Sequence, residues 1–175
     1  MSEPPNSPEA MIQEVDRSVP DQFARLGMVV PLVTLFADED EPHIMNLLGL
    51  FQASGPQDAA RKKAMLIPLV RDYIAERKLD VKGYVFVCQG FSAGNDKKTR
   101  RELASGKSIN TLTNRVPVVF YCCEMSDLGG IITRAFGERE ISLSPRKLLD
   151  LQITNLDHNI GRIGFGILDG IPKER

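Results

Sequence analysis

Tryptophan is absent from the 175 residues, and the chain holds only two histidines and three cysteines. The cysteine count is odd, and Cys122 and Cys123 are adjacent, so on a strand they would point to opposite faces, a poor geometry for a bridge. Neither a Cys-x-x-Cys pair nor a zinc-like Cys/His spacing is present. Buried, reduced thiols in a cytoplasmic protein are therefore expected. Residues 2–8 lack the positive start and apolar run of a signal peptide. No stretch approaches the ~20 consecutive apolar residues of a membrane span. The pattern gives no reason to expect a cofactor, a metal or a catalytic set.

What is present suits one globular domain: 42% hydrophobic and 26% charged residues, with a net charge of −1. That balance hides an asymmetry. Residues 1–60 carry a net −8, residues 61–115 a net +8 and residues 116–175 a net −1. Such a split either guides a charged partner or is neutralised inside the fold, the acidic third lying beside the basic third.

Residues 1–8 read as a disordered tail, residues 9–170 as a single domain and residues 171–175 as a polar tail. Ser7-Pro8 opens a helix with Met11, Ile12 and Val15 as its apolar stripe. Ser18 through Asp21 starts a second, short helix that Gly27 ends. Residues 28–36 read as a strand that Pro31 places at an edge or beside a bulge. After the acidic turn 38–42, residues 43–51 pair back as a hairpin strand, with a helix as the rival reading. Residues 57–78 form the clearest helix, kinked by Pro68.

Two strands follow, Tyr84 through Phe91 and Val116 through Cys123, apolar on both faces as central covered strands are. Residues 131–136 and 139–143 read as a hairpin turning near Gly137. Ser144-Pro145 then caps a short helix, and residues 161–168 read as a glycine-rich last strand. The implied fold is α+β, a mostly antiparallel sheet of about five to six strands packed by two to four helices.

Between the two central strands lies a long basic insertion loop, residues 92–115. A compact domain rarely spends that length on one connection without a use. Lys97, Lys98, Arg100, Arg101 and Lys107 could neutralise an anionic partner, including nucleic acid, although no aromatic that would stack a base lies within 92–115. A flexible solvated loop is the plain alternative. Gly106-Lys107-Ser108 ends like a phosphate loop, but Arg101 stands where that pattern requires glycine. Residues 38–41 lack the Gly and Glu spacing of a calcium loop. Glu124, a carboxylate ending an apolar strand, must be paired or lie at the sheet's end, and Gln89 is the lone polar side chain of its strand. Together they mark a possible pocket.

The layout over residues 31–125 resembles a group of uncharacterised bacterial and phage-associated α+β domains. It comprises an apolar strand pair, a basic-faced helix, a Tyr84-Val85-Phe86-Val87 strand, a polar segment holding Asn114-Arg115, and the strand after it. Those domains place an acidic residue after the first central strand, where this chain has Gln89, Gly90 and Phe91. The resemblance implies a fold class and a bacterial or phage origin, and no activity.

Three functions are carried forward. The preferred one is a small cytoplasmic, non-enzymatic protein that binds a protein partner or itself, away from any membrane. The second is an accessory nucleic-acid binder using residues 97–107 and the Arg61-Lys62-Lys63 face. The third is an enzyme with a site near Glu124 and Gln89 or a cysteine.

Overall fold

The computed structural model describes residues 5–38, 41–156 and 166–169. Helix α1 (Pro8–Asp16) starts where Ser7 accepts a hydrogen bond from the Ala10 N–H at 3.2 Å. Helix α2 (Val19–Leu26) ends at Gly27, whose φ of 67° is the left-handed conformation glycine adopts without strain. Strand β1 (Leu32–Ala37) and strand β2 (His43–Asn46) form the expected hairpin. The apolar run 43–51 divides, because a single turn of helix, α3 (Leu48–Phe51), follows β2.

The long helix also divides, into α4 (Pro56–Ala64) and α5 (Leu66–Arg77). Pro68 has no N–H to offer the Ala64 carbonyl and its ring crowds that carbonyl, so the expected kink falls as a one-residue interruption at Met65, whose backbone stays right-handed helical. Strand β3 (Val81–Ala93) and strand β4 (Arg115–Ser126) pair along almost their whole length. Between them stand helix α6 (Lys97–Ala104) and a 3-10 turn (Ile109–Thr111).

The last third departs most from expectation. Strand β5 (Ile132–Leu143) runs unbroken through Gly137, with no hairpin turn there. Gly137 serves close packing: a Cβ on it would lie 3.1 Å from Tyr121 and 3.2 Å from Ile12. The helix expected after Pro145 is instead strand β6 (Arg146–Leu148), paired with β5, and strand β7 (Gln152–Leu156) pairs with β5 farther along. A helix of that length is marginal by itself, whereas pairing satisfies the backbone directly. Of the expected last strand 161–168, residues 161–165 lie outside the described residues and 166–168 are not strand. The expected tails fall mostly outside them too.

The strands make one antiparallel sheet in the order β2-β1-β3-β4-β5-β6, with β7 also on β5, curled into a half-barrel. This is an α+β fold. Strand β1 is internal, not an edge; Pro31 sits just before it, and the bulge falls between Phe36 and Ala37. Both faces of the sheet are covered. On one, α1 and α2 bring Met11, Ile12, Val15, Val19 and Phe23 against Val85, Val87, Val119, Tyr121 and Cys123. On the other, Leu66, Val70 and Ile74 of α5 pack on Val33, Leu35, Phe86 and Cys122. This alternation makes β3 and β4 apolar at nearly every position.

Among the described residues no helix is long and apolar enough to cross a membrane.

Candidate functional site: a basic helix and a buried carboxylate cradle

The basic insertion folds into a stapled unit rather than an open loop. Asp96 caps α6, accepting from the Thr99 N–H at 2.9 Å and from the Thr99 hydroxyl at 2.6 Å, and it also accepts from Asn114 at 3.4 Å. Thr99 is fully buried, so one side of the short helix is pinned to the domain. Glu102 closes the far end, accepting from Lys107 at 2.7 Å and from both the hydroxyl and the N–H of Thr113. The Thr99 hydrogen bonds hold the Asp96 carboxyl down at about 2, and Lys107 does the same for Glu102. Leu112 is buried beneath the unit.

At 100° per residue, Thr99 and Leu103 share one side of α6, and Lys97, Lys98, Arg100 and Arg101 fan across the other. All four are exposed. Arg100 reaches the Asn95 carbonyl at 3.5 Å, and none of the four forms an ion pair within the described residues. Lys107 is paired inside the unit and stands apart from them. The acidic N-terminal third meets the basic third elsewhere: Asp38 pairs with Lys82, and Asp58 pairs with Arg61 and Lys62 beside it. Among the described residues, no carboxylate of the acidic third pairs with the cations of α6. At the base of the unit, the Arg115 guanidinium lies 4.1 Å from the centre of the half-exposed Phe91 ring.

Gln89 and Glu124 are not neighbours. Gln89 lies on the face covered by α1 and α2, where it accepts from the Val29 N–H at 3.3 Å. Gln22 does the same for Val30 at 2.9 Å, so two glutamines hold the approach to β1. Glu124 is on the opposite face, five residues farther along the β3–β4 ladder, and is 0% exposed.

No protein-family model, curated protein or solved structure matches the chain.

Glu124 is enclosed by its own chain. Its register neighbour Arg134 donates to Oε1 at 2.9 Å. Oε1 also accepts from the Gly166 N–H at 2.7 Å, and Oε2 from the Leu168 N–H at 3.2 Å. The Tyr84 hydroxyl bonds both Glu124 and the Ile167 backbone; burial, and next the carboxylate's charge, push that phenol well above its ordinary value. From the other side, Arg71 donates to the carbonyls of Ile167 at 3.1 Å, Gly166 at 3.0 Å and Asp169. Arg134 completes the ring on Asp169 at 3.0 Å. A buried carboxylate is tolerated because each oxygen has N–H donors and a guanidinium balances its charge.

The thiols are buried among apolar neighbours. Burial pushes Cys88 up to about 12 and raises Cys123 further, the reverse of what a nucleophile needs. Arg71, Tyr84 and Arg134 carry no local sequence signal as a set. Only the pairing of Glu124 with Arg134 follows from the antiparallel register.

Proposed function

We propose that this protein works by binding rather than by catalysis, and that the outward face of α6 receives an acidic protein surface. The observation carrying this reading is the set of four exposed cations on a helix fixed by its cap and its buried Thr99, with no carboxylate opposite them among the described residues. Exposed Ile109, in the 3-10 turn that follows α6, supplies an apolar contact of the kind that protein interfaces combine with a charged rim. The packing supports binding over chemistry: the thiols are buried, and Glu124 spends both oxygens on its own chain.

Nucleic acid is the second reading, favoured by the Arg115–Phe91 stack at the base of the same unit. Titration with a polyglutamate peptide and with a single-stranded oligonucleotide of equal charge separates the two. An acidic-protein site favours the peptide. A nucleic-acid site favours the oligonucleotide, with a log–log salt slope of about −3 for four phosphates. Loss of neither signal on changing all four cations to Ala would remove α6 from both readings.

A further inference from the structure

The segment 166–169 adds no strand to the sheet; side chains of the domain hold it by its main chain. Glu124 takes the N–H groups of Gly166 and Leu168, and Tyr84 bonds the backbone of Ile167. Arg71 takes three carbonyls, those of Gly166, Ile167 and Asp169. Ile167 and Leu168 sink their side chains into the α5-covered core, Ile167 completely. Main-chain hydrogen bonds for affinity, with apolar pockets for side chains, are how a groove binds a peptide. Here the chain supplies the peptide itself.

None of these contacts depends on which chain delivers the segment. Nine residues, 157–165, separate it from β7. A stretch of that length reaches about 30 Å when extended, enough to place the segment on an adjacent molecule. We propose that the groove over Glu124 accepts the 166–169 segment of a second copy, so that two chains exchange segments and associate as a symmetric pair. When the two chains exchange reciprocally, the two contacts are related by a two-fold axis and the assembly closes at two. This pairing uses the opposite end of the β3–β4 ladder from α6 and is independent of any partner bound there.

The test is sedimentation of the full chain over rising concentration, with and without a synthetic peptide of residues 166–175. The expected result is a concentration-dependent dimer that the peptide dissolves. At about ten times its own dissociation constant, a peptide competing for two grooves raises the dimer's apparent dissociation constant about a hundredfold. With both peptides N-acetylated so that residue 166 carries an amide nitrogen, the same peptide with Gly166→Pro and Leu168→Pro lacks the N–H groups that Glu124 binds and should leave the dimer intact. A monomer at every concentration overturns the proposal. So does a dimer indifferent to the peptide, or one dissolved equally by the proline peptide.

Discussion

Asp16, the last residue of α1, receives two hydrogen bonds from Arg139 of β5, Nε to Oδ1 at 2.7 Å and Nη2 to Oδ2 at 2.6 Å. The Tyr121 hydroxyl donates to the same carboxylate at 2.5 Å. A negative charge at a helix C-terminus is unfavourable alone, and the guanidinium offsets it while fixing α1 across the sheet. Asp16→Ala would strand a largely buried arginine and a buried phenol. The expected loss is about 3 kcal/mol, the low end for breaking a buried pair because Arg139 keeps some contact with water. Urea unfolding of the variant measures it; a midpoint within error of wild type would show that the latch contributes nothing.

Gly83 marks where α1 comes closest to β3. A Cβ there would lie 2.6 Å from the Met11 sulfur and 2.9 Å from the Glu124 carbonyl oxygen. The thioether can yield, but the backbone oxygen cannot. Gly83→Ala is therefore expected to cost about 1–3 kcal/mol by overpacking, read as a lowered thermal midpoint. An unchanged midpoint would mean that α1 sits farther from the sheet.

These two contacts also show what the sequence makes legible. Helices α1 and α2 follow from local signals, Ser7-Pro8 at one start and Gly27 at one end, and the apolar runs of β3 and β4 declare a sheet covered on both faces. Gly137 has the look of a turn because local reading treats glycine as punctuation, yet its role is tertiary, to admit Ile12 and Tyr121. The basic segment looks like a loop although Asp96 is an ordinary capping residue for α6; what no local pattern reveals is that Thr99 is buried and pins the helix to the domain. Of the candidate site, the α6 cations are visible in the sequence. The cradle is not, because Arg71, Tyr84, Glu124 and residues 166–169 meet only through the fold.

The staple of α6 should depend on acid. Asp96 and Glu102 fall from ordinary values of 3.8 and 4.5 to about 2 in the folded chain. Depressed carboxyl values contribute stability that is fully present above the ordinary value and is lost as pH falls through the folded one. Local order in α6 is thus expected to hold above pH 4.5 and to loosen towards pH 2. Carboxyl-carbon chemical shifts followed by NMR would check this; midpoints near 4 for both groups would contradict it.

The three thiols should be inert in the folded state. With Cys88 raised to about 12 by burial, and Cys123 higher still, almost no thiolate exists at pH 8. Thiol–disulfide exchange with an aromatic disulfide reagent, read by the aromatic thiolate released, should be negligible natively and complete in guanidinium. Rapid native labelling of Cys88 would place it in an open site and revive a nucleophilic role.

The most direct measurement is the affinity of the full chain for a polyglutamate peptide as salt is raised, compared with a chain carrying Lys97→Ala, Lys98→Ala, Arg100→Ala and Arg101→Ala. Exposed substitutions of this kind should each shift stability by no more than about 0.5 kcal/mol, so both chains remain folded. The predicted result is saturable binding at low salt that weakens steeply as salt rises and is abolished in the four-fold variant. Equal binding by both chains, or none by the native chain at low salt, would contradict the claim that α6 is where this protein meets its partner.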